Sequence, residues 1–148
     1  THTTVFSCVN VKAQGISSVP FNLYKKTDNG RDKATDHPLF NILNLQVNPF
    51  MTSTTWREMI VQDIELRGTH FSQIVRNNAG KIVALYPLQF DNMTVDVDMG
   101  KNNNPNITYT YTNLDGYSRS LKSENVLRIV GLPSTNGILG ITPINTLF

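Results

Sequence analysis

The chain has 148 residues, of which 39% are hydrophobic and 16% charged, values typical of a folded domain with a sizeable core. The net charge is only +2, without the excess of Lys and Arg that a dedicated nucleic-acid-binding protein carries. No apolar run approaches the roughly 18 residues of a membrane helix. Cys8 is the single cysteine, which excludes an internal disulfide and favours a reducing compartment.

The first third of the chain is predicted to be helical. Before Pro20, the apolar residues at helical spacing are Phe6, Val9, Ala13 and Ile16. Cys8 falls near the same face, so we interpret it as a packed structural thiol rather than a nucleophile. The alternation in residues 21–24 then predicts a short strand, and the polar residues 27–35 predict a loop.

Two further helices are predicted before residue 68. Asp36 is the expected N-cap of the first, which should stop at Asn48 and the proline after it. Thr52 or Thr55 should cap the second, and Gly68 stands where a left-handed C-terminal residue is wanted. Its predicted apolar face consists of Trp56, Met59, Ile60 and Ile64.

The rest of the chain has the alternation of strands. The predicted strands span residues 69–76, 81–88, 93–99, 107–111, 117–121 and 126–130. A polar turn is expected at residues 102–106, a loop at 131–140, and a new helix from Thr142 and Pro143 to residue 148. The prediction is an α+β fold with N-terminal helices packed on a mainly antiparallel meander.

We expect residues 1–148 to form a single α+β domain. Its helical part should cover about residues 1–68, its strand-rich part about 69–130, and the start of a new helix about 142–148. Because the chain starts at Thr1 rather than Met and stops inside that helix, we expect it to be a fragment of a longer protein. Such a fragment should be a monomer or a weak oligomer by itself.

Residues with catalytic or metal-binding chemistry do not form a recognisable constellation. The histidines are His2, His37 and His70, and none has the spacing of a zinc site. Asp96 and Asp98 share one face of a predicted strand and could hold a hard metal ion or act in acid–base catalysis. The solvent side of an amphipathic strand is the favoured explanation of this pair, so we assign no catalytic, cofactor-binding or metal residue and expect no enzyme.

A nucleic-acid-binding module is the alternative reading. Tyr109, Tyr111 and Tyr117 could stack on bases, although tyrosines on an alternating strand are typical of a core face. The basic cluster of this reading consists of Lys25, Lys26, Arg31 and Lys33.

The order of short motifs along the chain resembles that of the portal proteins of long-tailed bacteriophages. The matching segments are VFSCVNV (5–11), ISSVPFNLY (16–24), DHPLF (36–40), PFMT (49–52), WRE (56–58), LRG (66–68), LYPL (85–88), VLRIVG (126–131) and GITPI (140–144). The sequence departs from that pattern at residues 69–71, where Thr-His-Phe replaces Asn-Ala-Tyr, and at Asn125, Arg128 and Val130. Roles inferred for those side chains are therefore set aside.

The resemblance implies a structural subunit of a dodecameric ring at one capsid vertex. Through such a ring double-stranded DNA is packaged and ejected, and terminase and head–tail connector proteins attach to it. The implied partners are other portal subunits, the major capsid protein, terminase and the connector, with no membrane. The implied location is the virion, after assembly in the bacterial host cytoplasm. This segment would be the outer, wing-type region and touch little DNA itself.

Overall fold

Three helices precede most of the strands in the computed structural model, which describes residues 2–100 and 105–144. The helices are α1 (His2–Ser17), α2 (Pro38–Asn44) and α3 (Ser53–Arg67). Among the described residues, no helix has both the length and the apolar character needed to cross a membrane.

Twelve strands of two to eight residues lie in the described ranges. They are β1 (Tyr24–Thr27), β2 (Gly30–Lys33), β3 (Gln46–Asn48), β4 (Met51–Thr52), β5 (Thr69–Arg76), β6 (Ile82–Leu88), β7 (Met93–Met99), β8 (Pro105–Thr112), β9 (Ser118–Leu121), β10 (Val126–Val130), β11 (Leu132–Pro133) and β12 (Gly140–Ile141). All pairings are antiparallel. The α+β fold class is confirmed.

Helix α1 forms where it was predicted, but only part of its apolar face is covered. Val9 and Ala13 are buried, whereas Phe6 is 62% and Ile16 50% exposed. Cys8 is exposed as well, so its interpretation as a packed thiol is wrong. Helical spacing identifies one face of a helix, but the elements packed against the helix decide how much of that face is buried.

The partner of α1 is α3, which runs antiparallel to it. Lys12 Nζ lies 2.8 Å from Glu65 Oε1, and the Gln62 side-chain amide donates to Asn10 Oδ1 over 3.2 Å. Ser17 Oγ at the end of α1 lies 3.4 Å from Glu58 Oε1 near the start of α3, so residue numbers that fall from Ser17 to Lys12 in α1 match numbers that rise from Glu58 to Glu65 in α3.

Residues 21–35 contradict the sequence prediction. Residues 21–23 are not a strand, and the predicted loop at 27–35 contains half of a hairpin, β1 paired with β2. The turn of this hairpin, formed by Asp28 and Asn29 and followed by Gly30, lies inside the predicted loop. The flanking residues are charged, with little of the β-branched or aromatic character that predicts a strand.

Helix α2 begins one residue later and ends earlier than predicted. Its N-cap is His37 rather than Asp36, because His37 Nδ1 accepts the amide hydrogen of Leu39 over 3.1 Å. The helix stops at Asn44, and residues up to Asn48 form β3 instead. A short ladder between β3 and β4 then leads into α3.

Helix α3 has the predicted boundaries. Its N-cap is Thr52, whose Oγ1 accepts the amide hydrogen of Thr55 over 3.3 Å, so Thr52 and not Thr55 caps the helix. Gly68 ends it in the left-handed conformation, with φ of 80°. Of the predicted apolar face, Trp56 and Ile60 are buried, and Arg57 is buried beside them.

The long strands form two separate three-stranded sheets, which corrects the single meander expected from the sequence. In the first sheet, β5 lies between β6 and β10, so β10 returns to pair with a strand more than fifty residues earlier. In the second sheet, β8 lies between β7 and β9. The predicted strands at 69–76 and 81–88 are confirmed as β5 and β6, which pair as a hairpin with a turn at residues 77–80.

The first sheet separates two apolar clusters. One face packs against α2 and α3 around Ile42, Val47, Trp56, Ile60 and Leu85. The other face packs against the second sheet around Phe71, Leu88, Tyr109, Leu121 and Val126. The layers therefore run from α1 through α2 and α3 to the first sheet and then to the second.

Two predictions concern residues outside the described ranges in whole or in part. The predicted turn at 102–106 includes residues 102–104, which are not described, while Pro105 already belongs to β8. The predicted helix at 142–148 likewise ends in residues 145–148 outside the described part. The loop at 131–140 is confirmed in outline, with a two-residue ladder between β11 and β12 at its ends.

Candidate functional site

A chain of four side chains links α3 to β5 in the interior. His70 Nδ1 lies 2.6 Å from Asp63 Oδ2, and His70 Nε2 lies 2.7 Å from Ser72 Oγ. Ser72 Oγ also accepts a hydrogen bond from Trp56 Nε1 over 3.0 Å. Trp56 and Asp63 are two turns apart on α3, and His70 and Ser72 are two residues apart on β5, so each pair shares one face of its element.

The hydrogen-bond roles in this chain are fixed by its two ends. Because a carboxylate only accepts, His70 Nδ1 donates to Asp63. Because Trp56 Nε1 only donates, the Ser72 hydroxyl accepts from it and is free to donate to His70 Nε2. His70 and Ser72 are fully buried, and the Asp63 side chain is 28% exposed.

The Asp–His–Ser order is that of a catalytic triad, but the geometry of these side chains favours a structural role. A nucleophilic serine presents its hydroxyl to a substrate. Here Ser72 Oγ is directed at Trp56 and His70 inside the first apolar cluster. The chain therefore satisfies polar atoms between α3 and β5, which fixes the helix on the sheet.

Arg57 is a second buried polar centre. Its Nε donates to Ser17 O over 2.8 Å, and its Nη1 donates to Leu43 O over 2.8 Å. These carbonyls lie in the last turns of α1 and α2, where the helix dipole favours a positive charge. The guanidinium also lies over the Phe21 ring, 5.4 Å from its centroid. One side chain of α3 thus holds the ends of both other helices.

A close backbone contact joins the end of α3 to the segment after β10. Gly131 N donates to Gly68 O over 2.9 Å, and Gly140 N donates to Thr69 Oγ1 over 2.7 Å. A Cβ atom on Gly68 would overlap the carbonyl oxygen of Gly140. The absence of a side chain at Gly68 and at Gly140 therefore allows the two segments to come this close.

The three tyrosines of the nucleic-acid alternative do not share a surface. Tyr109 is 3% exposed and packs edge-on against Phe71, with ring centroids 6.0 Å apart. Tyr111 is half-buried under the guanidinium of Arg119. Tyr117 is 70% exposed, in the turn before β9. Tyr109 belongs to the core, so these residues do not form a stacking platform.

The basic cluster, in contrast, is brought together. Lys25, Lys26, Arg31 and Lys33 are all exposed on the β1–β2 hairpin. Arg31 lies over the Tyr24 ring, 5.3 Å from its centroid.

Asp96 and Asp98 are exposed on one face of β7, opposite Thr108 and Asn106 of β8. Within the described ranges, no group of three or more His, Cys, Asp and Glu side chains has the arrangement of a metal site. Of the histidines, His37 caps α2 and His70 belongs to the buried chain. The side chain of His2 is outside the described part.

Sequence reasoning missed the buried chain and the role of Arg57. The available signal was spacing: Trp56 and Asp63 at i and i+7 on a helix, followed by His70 and Ser72 at i and i+2 on the next strand. Each pair is compatible with one face, but only tertiary packing makes the two faces meet. For Arg57, no local pattern distinguishes a buried arginine from a surface one.

Comparison with known proteins connects this architecture to one family. The family described as "Phage portal protein" matches residues 3–148. The portal protein of Enterobacteria phage HK97 is 27% identical over 143 residues, which are 95% of this chain and 32% of that protein. Protein BeeE of Escherichia coli strain K12 is 31% identical over 86 residues, 58% of this chain and 54% of that protein.

Solved structures share the fold. The neck of an empty GTA particle, computed with C6 symmetry, contains a chain that superposes with a TM-score of 0.77 at 21% identity, covering 95% of this chain and 37% of that one. A HK97 family phage portal protein from Corynebacterium diphtheriae gives a TM-score of 0.57 at 14% identity, with 86% and 37% covered. This chain thus spans only about a third of the length of the portal relatives that it matches. Because the family match extends over nearly the whole sequence, the chain belongs to the phage portal protein family.

Proposed function

We propose that this chain is part of a structural subunit of the phage portal, and that it acts by packing rather than by catalysis. The observation that carries the proposal is the match of residues 3–148 to the portal family. The interior is consistent with this role. Its polar side chains connect secondary-structure elements instead of facing a cleft. Asp63, His70 and Ser72 connect α3 to β5, and Arg57 connects α3 to the end of α1.

The subunit would assemble with copies of itself into a closed ring at one capsid vertex. Double-stranded DNA would enter and leave through the ring, and terminase and head–tail connector proteins would attach to it, beside the major capsid protein. One structural neighbour is the neck of a native GTA particle computed with C12 symmetry. By analogy, we propose twelve subunits, assembled in the host cytoplasm and carried in the virion.

Within such a subunit, residues 1–148 would form one α+β unit of the outer, wing-type region. Two features support this assignment. Arg57 joins all three helices, and β5 supplies both apolar clusters, so the layers depend on one another. The net charge of +2 is also low for a surface that lines a DNA channel.

A nucleic-acid-binding module remains the second candidate function, and one observation favours it. The hairpin gathers four cations on an exposed element. The core position of Tyr109 removes one of the three residues that would stack on bases. The structural role therefore has the stronger support.

Immunogold electron microscopy tests the proposed role directly. Antibodies against this chain, applied to particles from the host that carries the gene, should label a single vertex of each capsid. Pre-immune serum is the control. Labelling spread over the capsid surface, or particles without label after mild opening of the capsid, would contradict a portal role.

A further inference from the structure

The β1–β2 hairpin has two chemically different faces. Residues directly opposite in an antiparallel ladder share a face. Tyr24 is opposite Lys33, and Lys26 is opposite Arg31, so one face carries three cations and an aromatic ring. We call these four residues the basic face. Lys25 is opposite Asp32 on the other face, where the charges balance.

The basic face lacks an internal counter-charge. The ion pairs among the described residues are Lys12–Glu65, Arg67–Asp91 and His70–Asp63, and none uses a hairpin cation. Lys26 and Arg31 are directly opposite each other, a like-charge arrangement that disfavours the hairpin. An external anionic partner would relieve this repulsion.

The hairpin also stands apart from both sheets. Its strands pair only with each other, and the hydrogen bond from Ala34 N to Leu23 O, 2.8 Å long, closes its base. Every residue of the two strands except Thr27 is exposed. Because a lone two-stranded hairpin is at best marginally stable in water, a partner surface would stabilise it.

The second sheet offers a surface of opposite charge on the same chain. Asp96 and Asp98 of β7 share a face with Asn106 and Thr108 of β8. The same register adds the hydroxyl residues Thr94, Thr110, Thr112, Ser118 and Ser120. We call these nine residues the acidic face. It carries two negative charges and, among the described residues, no cation.

We propose that the basic face of one subunit docks on the acidic face of the next subunit in the ring. A head-to-tail contact needs two different, complementary patches on each copy, and these two faces meet that requirement. The neutral hydroxyl and amide groups around Asp96 and Asp98 would accept hydrogen bonds from the hairpin and donate hydrogen bonds to it, at a low desolvation cost. This inference rests on the proposed ring and names one of its contacts.

Charge on the hairpin favours a protein partner over DNA. Asp28 in the turn and Asp32 on the other face would lie close to any phosphate backbone that the three cations approached. Binding to DNA grows with the number of phosphates neutralised, and three cations are few. Three cations are, however, enough to pair with a protein surface that carries two separated carboxylates.

Cysteine cross-linking of the full-length protein tests the contact. In a Cys8→Ser background, Lys26→Cys combined with Asp96→Cys should give a ladder of covalent multimers after mild oxidation of assembled rings. The matched control replaces Lys26→Cys with Lys25→Cys, on the other face of the same hairpin. The control should give at least about tenfold less multimer, because its thiol points away from the neighbouring subunit.

Charge reversal provides a second readout. Lys26→Glu with Arg31→Glu should raise the protein concentration needed for ring assembly by about tenfold, and Asp96→Lys with Asp98→Lys should do the same. All four changes together should restore assembly, since the faces are again complementary. Lys25→Glu with Lys81→Glu changes the net charge equally without touching the basic face and should leave assembly unaffected.

The outcomes separate this inference from the proposed function. Wild-type rings that give no ladder, and reversals without rescue, would overturn the docking contact and leave the portal role intact. If the wild-type protein formed no ring, both would fall. If Lys26→Glu with Arg31→Glu abolished binding to a fluorescent DNA duplex but left assembly unchanged, the hairpin would be a DNA-binding element and the inference would be wrong.

Discussion

His70 on β5 and Asp63 on α3 are joined by a hydrogen bond of 2.6 Å between Nδ1 and Oδ2, which connects helix α3 to the first sheet. The other ring nitrogen of His70 meets Ser72, and Ser72 meets Trp56. Removal of His70 or Ser72 from this hydrogen-bond chain leaves unpaired polar atoms in an apolar cluster. The resulting loss of stability should therefore exceed the contribution of a single hydrogen bond.

Ser72→Ala should lower the free energy of unfolding by about 2 kcal/mol or more, because Trp56 Nε1 and His70 Nε2 both lose a buried partner. Ser120→Ala on the exposed strand β9 is the control and should change stability by less than about 0.5 kcal/mol. Urea unfolding followed by Trp56 fluorescence measures both. Equal losses of unfolding free energy in Ser72→Ala and Ser120→Ala would show that the hydrogen-bond chain through Ser72 does not contribute to stability.

Arg57→Leu should destabilise the chain by about 3 kcal/mol, since the terminal carbonyls of α1 and α2 lose a charged donor. Arg67→Leu is the matched control on the same helix. Arg67 is half exposed and paired with Asp91 on the surface, a type of ion pair that contributes at most about 1 kcal/mol. Thermal unfolding by circular dichroism should rank the two variants in this order, and the reverse order would contradict the role assigned to Arg57.

Gly68→Ala should cost clearly more than Gly116→Ala, although both glycines have nearly the same φ, 80° and 78°. The left-handed conformation alone costs an alanine about 1–2 kcal/mol. At Gly116 nothing lies within 4 Å of the new methyl group, whereas at Gly68 it would overlap Gly140 O. The difference between the two unfolding free energies isolates this contact, and a difference near zero would mean that the two segments separate easily.

Tyr109→Ala should reduce stability by about 3 kcal/mol, as expected for a large core side chain, while Tyr117→Ala should be nearly neutral. Neither Tyr111→Phe nor Tyr117→Ala should alter the affinity for a single-stranded oligonucleotide. Fluorescence anisotropy at two salt concentrations measures this affinity. A loss of binding in the tyrosine variants would support the nucleic-acid alternative.

Elements with strong local signals were predictable. Helix α3 has a threonine cap at Thr52, a positive-φ glycine at Gly68 and apolar residues at helical spacing between them. The β5–β6 hairpin has a four-residue turn that ends in Gly80, also at positive φ. In these cases the residues that define the ends of an element act on the backbone directly.

Pairing between distant segments was not predictable. Alternation shows that β10 has two faces, but not that Arg128 lies opposite Phe71 rather than beside a residue of β9. The exposure of Phe6 likewise depends on which elements pack against α1, which the spacing of its apolar residues does not show. The β1–β2 hairpin was missed because its stability derives from backbone pairing and a turn, while its side chains have weak strand preference.

The candidate surfaces were only partly visible from the sequence. The cluster of Lys25, Lys26, Arg31 and Lys33 was recognised, but its division into two faces depends on the register of the ladder. Asp96 and Asp98 were placed on one face correctly, since i and i+2 positions of a strand always share one. The surrounding hydroxyl residues of β8 and β9 came from pairing that only the fold provides.

Native mass spectrometry of the full-length protein tests the central claim most directly, because it counts the subunits in the assembly. The account predicts one dominant species with a mass of twelve copies, in line with the C12 symmetry of one structural neighbour. A protein that stays monomeric at every concentration, or that forms open chains of undefined length, would contradict a portal subunit.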